Sequence, residues 1–130
     1  MRPVCALFAA LALLALPAAA QEAEEEEGPR FGGEAWYDDN LIELAEVLGG
    51  AHYLRILCDG RGDQRWRDFM RGVISREPRF RNAMVEGFNR GYREEEQRFS
   101  DCTRSASQAE AELRARGIRL ADGLGARHAE

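Results

Sequence analysis

His52, Tyr53 and Arg55 stand within four residues of one another, and Asn89, Tyr92 and Arg93 within five. These two clusters hold the side chains best suited to chemistry. An imidazole titrates near neutrality and can serve as a base, a metal ligand or a pH sensor. Arginine presents a planar fork that matches carboxylates and phosphates, and asparagine both donates and accepts. Taken together, the six residues would line one groove if the segments carrying them meet. Each also has a plainer reading. His52 has no His, Cys or carboxylate at metal-ligand spacing, since Glu46 is six residues away, so a half-buried histidine bonded to its neighbours accounts for it. Arg55, Asn89, Arg90 and Arg93 can be rim residues satisfied by partners within the bundle. No Ser-His-Asp set, phosphate loop or carboxylate pair stands out. The expectation is a non-enzymatic protein with no cofactor and no metal; an enzyme using His52 with Tyr53 or Tyr92 is the less favoured alternative.

Other short motifs carry less. The tripeptide Arg61-Gly62-Asp63 matches an adhesion motif by chance and is explained by a turn followed by a helix cap. "DGRGD" (59–63) lacks the alternating acids and the closing glutamate of a calcium loop. All 18 basic residues are arginine. That pattern fits selection for fork-like recognition, but codon bias in a GC-rich genome explains it more simply, along with the many Ala and Gly.

The elements that must position these side chains are helices. Leu41, Leu44, Leu48, Ala51, Leu54 and Cys58 mark a first helix over about 40–58, with Asp38, Asp39 and Asn40 as capping candidates. Asp63 can cap a second helix, "QRWRDFMRGVISR". Its Trp66, Phe69, Met70, Val73 and Ile74 fall at i, i+3, i+4, i+7 and i+8, a buried stripe. Glu77-Pro78 ends it. A third helix over about 79–100 sets Phe80, Met84, Phe88 and Tyr92 on one face, with Gly87 and Gly91 beside them; Glu94-Glu95-Glu96 reads as its solvated face. Ser105 with Gln108 reads as a capping box for a fourth helix, whose end, "GLGARHAE" with His128, is expected to fray. No strand alternation appears. The expected fold is all-α, a small up-down four-helix bundle occupying 36–126, because short loops favour antiparallel neighbours.

Two sequence features locate that bundle. "MRPVCALFAALALLALPAAA" has Arg2, an apolar run from Val4 to Leu16 and a small-residue end, the pattern of a signal peptide cleaved after Ala20. The apolar run is shorter than the roughly 18 residues a membrane span needs, so no stable span is expected after cleavage, and the periplasm is the expected location. Loss of Arg2 leaves 17 basic and 23 acidic residues, a net −6. Residues 21–34 hold six acids and one arginine, −5 of that total, and are expected to form a disordered acidic linker over 21–35. The body is nearly neutral, which argues against nucleic acid as a partner.

Cys58 and Cys102 are the two cysteines left after cleavage, and an even pair in an oxidising compartment reads as a disulfide. Alternating helix direction supports this, because Cys58 closes the first helix and Cys102 follows the third, at the same end of the bundle. Measured back from those cysteines at about 1.5 Å per residue, Gly49 and Gly50 fall level with Gly91. These glycines are expected to face one another near Tyr53 and Tyr92.

Three motifs, "HYLRILC" at 52–58, "WRDFM" at 66–70 and "FNRGYR" at 88–93, precede a downstream Cys102. In order and spacing the chain resembles a family of small exported alphaproteobacterial proteins of unknown function, over about 37–103. The resemblance implies export and an all-helical domain. It matches His52, Tyr53, Arg55, Cys58, Trp66, Arg67, Phe88, Asn89, Gly91, Tyr92, Arg93 and Cys102, and it implies no catalyst. The reading of the whole is a binding or adaptor module of the cell envelope, its partner an envelope protein or ligand. A small stress chaperone of the periplasm is the alternative.

Overall fold

The computed structural model describes residues 33–128; the expected signal segment and most of the acidic linker lie outside the described residues. Four helices follow one another: α1 (Glu34–Asp59), α2 (Arg65–Arg76), α3 (Arg81–Arg98) and α4 (Arg104–His128), with a 3-10 turn at Pro78–Phe80 before α3. No strand occurs among the described residues.

α1 is the central helix because its middle is apolar or small on every side. Residues Leu44, Ala45 and Val47 through Leu54 are all buried, and a helix that is apolar all round must be covered all round. α3 packs on it in parallel: Gly87 lies against Ile42, Gly91 against Glu46 and Gly50, and Gly49 against Phe88. α4 runs antiparallel, with Gly117 beside Val47 and Leu48, and Gly123 beside Trp36. α2 also runs antiparallel to α1, since the Tyr37 hydroxyl donates to Glu77 Oε1 at 2.6 Å. The directions are those of the expected up-down bundle. The lower core gathers Leu41, Leu44, Leu48, Met70, Met84 and Leu124. The upper core gathers Tyr53, Leu54 and Ala106, with Leu57, Tyr92, Phe99 and Leu113 packed on it.

The glycines meet as expected. A Cβ on Gly49 would fall deep inside the Phe88 carbonyl, and one on Gly91 inside the Glu46 carbonyl. The α1–α3 seam is therefore backbone on backbone. Above it Cys58 and Cys102 form the disulfide, with Cα atoms 5.0 Å apart.

Several boundaries differ from expectation. α1 starts at Glu34 with Gly33 as its N-cap, and Asp38, Asp39 and Asn40 lie inside the helix. Burial of the Trp36 ring against α4 extends α1 toward the N-terminus, and Asn40 donates to the Trp36 carbonyl at 2.7 Å. α4 is capped by Thr103, whose Oγ1 accepts the Ala106 N–H at 3.1 Å; Ser105 lies inside the helix and Gln108 bonds Glu112 instead. α4 also continues to His128, because Gly123 and Leu124 dock on the lower core. α3 ends at Arg98, where Phe99 turns extended and its carbonyl accepts the Tyr53 hydroxyl. In α2 only Met70 is fully buried, and Phe69 is exposed, so the stripe is narrower than its spacing suggests. Glu95 is buried instead of solvated: Gly50 leaves room for its Cγ, and Arg98 bonds its carboxylate at 2.8 Å.

Candidate binding groove

Two helices present the same spacing to one space. Val85, Phe88, Asn89 and Tyr92 on α3 fall at i, i+3, i+4 and i+7, and so do Arg67, Met70, Arg71 and Ile74 on α2. Residues so spaced share a face. α1 supplies the back wall with His52 and Ile56, and the α1–α2 loop closes one end with Arg61 and Gln64. Together they enclose an open groove of about 530 Å³, within the usual range for small-molecule sites. The groove exists because the glycine seam draws α3 close onto α1 while the short α2 stays apart from α3.

His52 is the centre of this groove. It is only 6 % exposed, its ring lies 5.6 Å from that of Phe88 and 6.1 Å from that of Tyr92, and it makes no hydrogen bond to any described residue; its Nδ1 is fully enclosed. A buried polar atom without a partner is costly and uncommon. This corrects the expectation of a locally bonded histidine. Arg55, one turn along α1, is drawn away by Asp59 and Asp63, and the rings facing His52 are those of Phe88 and Tyr92. Desolvation lowers its pKa, and the Arg67 charge lowers it further against the smaller opposing effects of Asp63 and Asp68. His52 is thus held neutral.

That depression has a measurable consequence. The unfolded chain binds the His52 proton more readily than the folded one. The stability from keeping it neutral is fully present above about pH 6.5, the unfolded value, and is lost as pH falls through the lower folded value. His52→Gln should flatten the pH dependence of the melting temperature in that window, as read by thermal unfolding from pH 7.5 to 5.

The other five expected site residues divide. Asn89 and Tyr92 line the groove with His52. Tyr53 does not: it is buried on the far side of Tyr92, edge-on at 5.1 Å, and burial pushes its hydroxyl pKa up. Arg55 turns away to Asp59 at 3.2 Å, Asp63 at 3.1 Å and Glu110 at 3.8 Å, locking the loop and α4 to the end of α1. Arg93 is exposed on α3 outside the groove, and Arg90 is taken by Glu46 of α1 at 2.8 Å. Burial works to raise the Asp63 pKa, but the Arg65 N–H and the Arg55 guanidinium outweigh it and hold the carboxyl below its ordinary 3.8. Its stabilising effect is present above that value and lost as pH falls through the folded one. Asp63→Asn should therefore shallow the acid unfolding transition below about pH 4, followed by circular dichroism.

Arg61, Gln64, Arg67, Met70, Arg71, Ile74, Val85 and Phe88 enter the site without having been singled out for it. The matched spacing on the second and third helices was a usable signal. Among the described residues, neither the Arg61 nor the Arg67 guanidinium has a hydrogen bond or ion pair, while Arg71 is held by Asp68 at 3.0 Å. No acidic residue lines the groove, and Asp63 and Asp68, the acids within electrostatic reach of His52, are engaged by arginines. No group of three His, Cys, Asp or Glu suited to a metal occurs among the described residues. None of the helices described is long and apolar enough to cross a membrane.

Comparison with known proteins adds the family. No curated protein and no solved structure matches the chain. A family model described as "Protein of unknown function (DUF2385)" matches residues 36–128, from the start of α1 through the end of α4. With most of its length so matched, the chain belongs to the DUF2385 family of proteins of unknown function.

Proposed function

We propose that the protein is an exported, non-enzymatic binding module of the cell envelope and that the α1–α2–α3 groove is its binding surface. The carrying observation is His52, over nine-tenths buried, facing a 530 Å³ groove with its hydrogen-bonding capacity unused. A ligand that enters the groove can partner Nε2, the ring nitrogen that is not enclosed and that no residue bonds. Export is supported by the N-terminal signal pattern and by the Cys58–Cys102 disulfide, which suits an oxidising compartment. Binding is favoured over catalysis because no carboxylate or second base orients His52, and general acid–base work needs an oriented group. A defined groove is favoured over a chaperone surface because the large exposed apolar residues, Phe69, Val85 and Ile118, sit singly on three helices, and scattered exposure of this kind is ordinary.

The test places a photo-crosslinking amino acid at Val85, which is 43 % exposed and lines the groove, or at Ile118, which is 53 % exposed on α4 outside it. Cells exporting each variant are irradiated, and the intact protein mass is read. A defined added mass at Val85 and none at Ile118 supports the reading. No adduct at Val85, or the same adducts at both positions, contradicts it.

A further inference from the structure

The groove is graded along its length. α3 runs parallel to α1 and α2 antiparallel, so Arg61 and Arg67 stand toward the α1–α2 loop while Ile74 and Val85 stand at the opposite end. Its cationic end holds two guanidiniums with no carboxylate of their own. At the other end Ile74 and exposed Val85 are aliphatic, with Arg71, already held by Asp68, one turn from Ile74. His52 stands near the cationic end, within electrostatic reach of Arg67.

Resting on the reading of the groove as a binding site, we infer that its ligand is a free single-chain anionic amphiphile, with a carboxylate or phosphate head on Arg61 and Arg67 beside His52 and an apolar body toward Ile74 and Val85. The charge argument is direct. Two unpaired guanidiniums beside an apolar wall bind an anion more strongly than a neutral group, because charge-assisted hydrogen bonds are about twice as strong as neutral ones. Arginine forks match the planar head of a carboxylate. The apolar end excludes a ligand that is charged throughout, such as a polyanion. A volume of about 530 Å³ suits one chain.

Isothermal titration of the full mature protein at low salt tests this with decanoate, decyltrimethylammonium and butanoate. Decanoate is expected to bind one to one. Decyltrimethylammonium lacks the anion and butanoate most of the tail, and each is expected to bind about tenfold more weakly or worse, a difference that one charge-assisted bond can supply. Arg67→Ala and Arg61→Ala should each weaken decanoate by a similar factor. Both side chains are exposed and unpaired, so the variants should keep the wild-type melting temperature, which is measured alongside. In sedimentation with phosphatidylglycerol vesicles the protein should stay in the supernatant.

Equal binding of the cationic probe, retained decanoate binding in the double arginine variant, or no decanoate binding at all overturns the proposal. Pelleting with vesicles also overturns it, since the anionic head would then be that of a bilayer lipid. If decanoate fails while a Val85-specific adduct forms, the groove is a binding site and only the ligand class is wrong. If both fail, the groove reading falls with it.

Discussion

Gly91→Ala is expected to destabilise the protein by about 3 kcal/mol or more, measured by urea unfolding, even though alanine is the better helix former. The new Cβ has nowhere to go. It meets the Glu46 carbonyl and the Gly50 nitrogen, both backbone atoms of α1, and backbone cannot rotate aside as a side chain can. The helices must separate, which disturbs both cores and the groove. Overpacking against adaptable side chains costs about 1–3 kcal/mol, so a clash with backbone should sit at or above the top of that range. Gly49→Ala meets the Phe88 backbone and should behave alike. The control is Gly72→Ala in α2, where a Cβ has open space around it. There only propensity acts, and stability should rise by about 0.5–1 kcal/mol. If Gly91→Ala and Gly72→Ala shift stability in the same direction, the account of the α1–α3 seam is wrong.

The second large effect is the disulfide. Cys58 and Cys102 close a loop with a sequence separation of 44. Chain-entropy reasoning assigns such a crosslink about 4 kcal/mol, a large share of the 5–15 kcal/mol typical of a whole domain. The Cys58→Ser/Cys102→Ser double variant, or the reduced protein, should melt roughly 15–30 °C lower, given about 4–8 °C per kcal/mol at this size. The loss should fall unevenly on the structure. Tyr53, Phe99 and Ala106 pack at the stapled end, whereas the Leu41, Met70 and Met84 cluster lies far from it. Amide exchange in the double variant should therefore rise first near residues 53–58 and 99–106. A melting temperature unchanged by reduction would contradict this assignment.

Much of the architecture was legible because it follows from one-dimensional spacing. The facing of Gly49, Gly50 and Gly91 could be counted back from two cysteines at a known rise per residue, and the structure places Gly50 against Gly91 and Gly49 against Phe88 on the same helix. Helix direction followed from short loops. The site was legible only in part. His52 and Tyr53, or Tyr92 and Arg93, are neighbours in sequence, but adjacent helical residues point about 100° apart and do not share a face. Tyr53 accordingly enters the upper core and Arg93 faces outward. Arg55, at i+3 from His52, could have joined it, but three carboxylates from α1, the loop and α4 draw it away. Two of those carboxylates, Asp63 and Glu110, belong to other segments, so no local pattern announces them. Arg61 was read only as part of a turn and Gln64 only as the first residue of the second helix, and both lie at the groove's mouth because α2 folds back along α1.

The same tertiary argument explains the helix ends. Asp38 suits a cap, but α1 extends past it where Trp36 gains burial, and α4 runs on to His128 past its expected fraying where Leu124 is buried; at its start Thr103, not Ser105, is the cap. A cap is worth about 1 kcal/mol, and burying a large apolar side chain is worth about 1.5–3 kcal/mol, so packing decides the boundary.

Native mass spectrometry of the protein isolated from the cells that make it tests the central claim, that the His52 groove is an occupied binding site, most directly. The account predicts a species heavier than the bare polypeptide by one small molecule, present in the wild type and in Arg93→Ala, and lost in the Arg61→Ala/Arg67→Ala variant. A polypeptide of bare mass throughout would contradict it, and an adduct that survives the loss of both groove arginines would overturn the anionic ligand class.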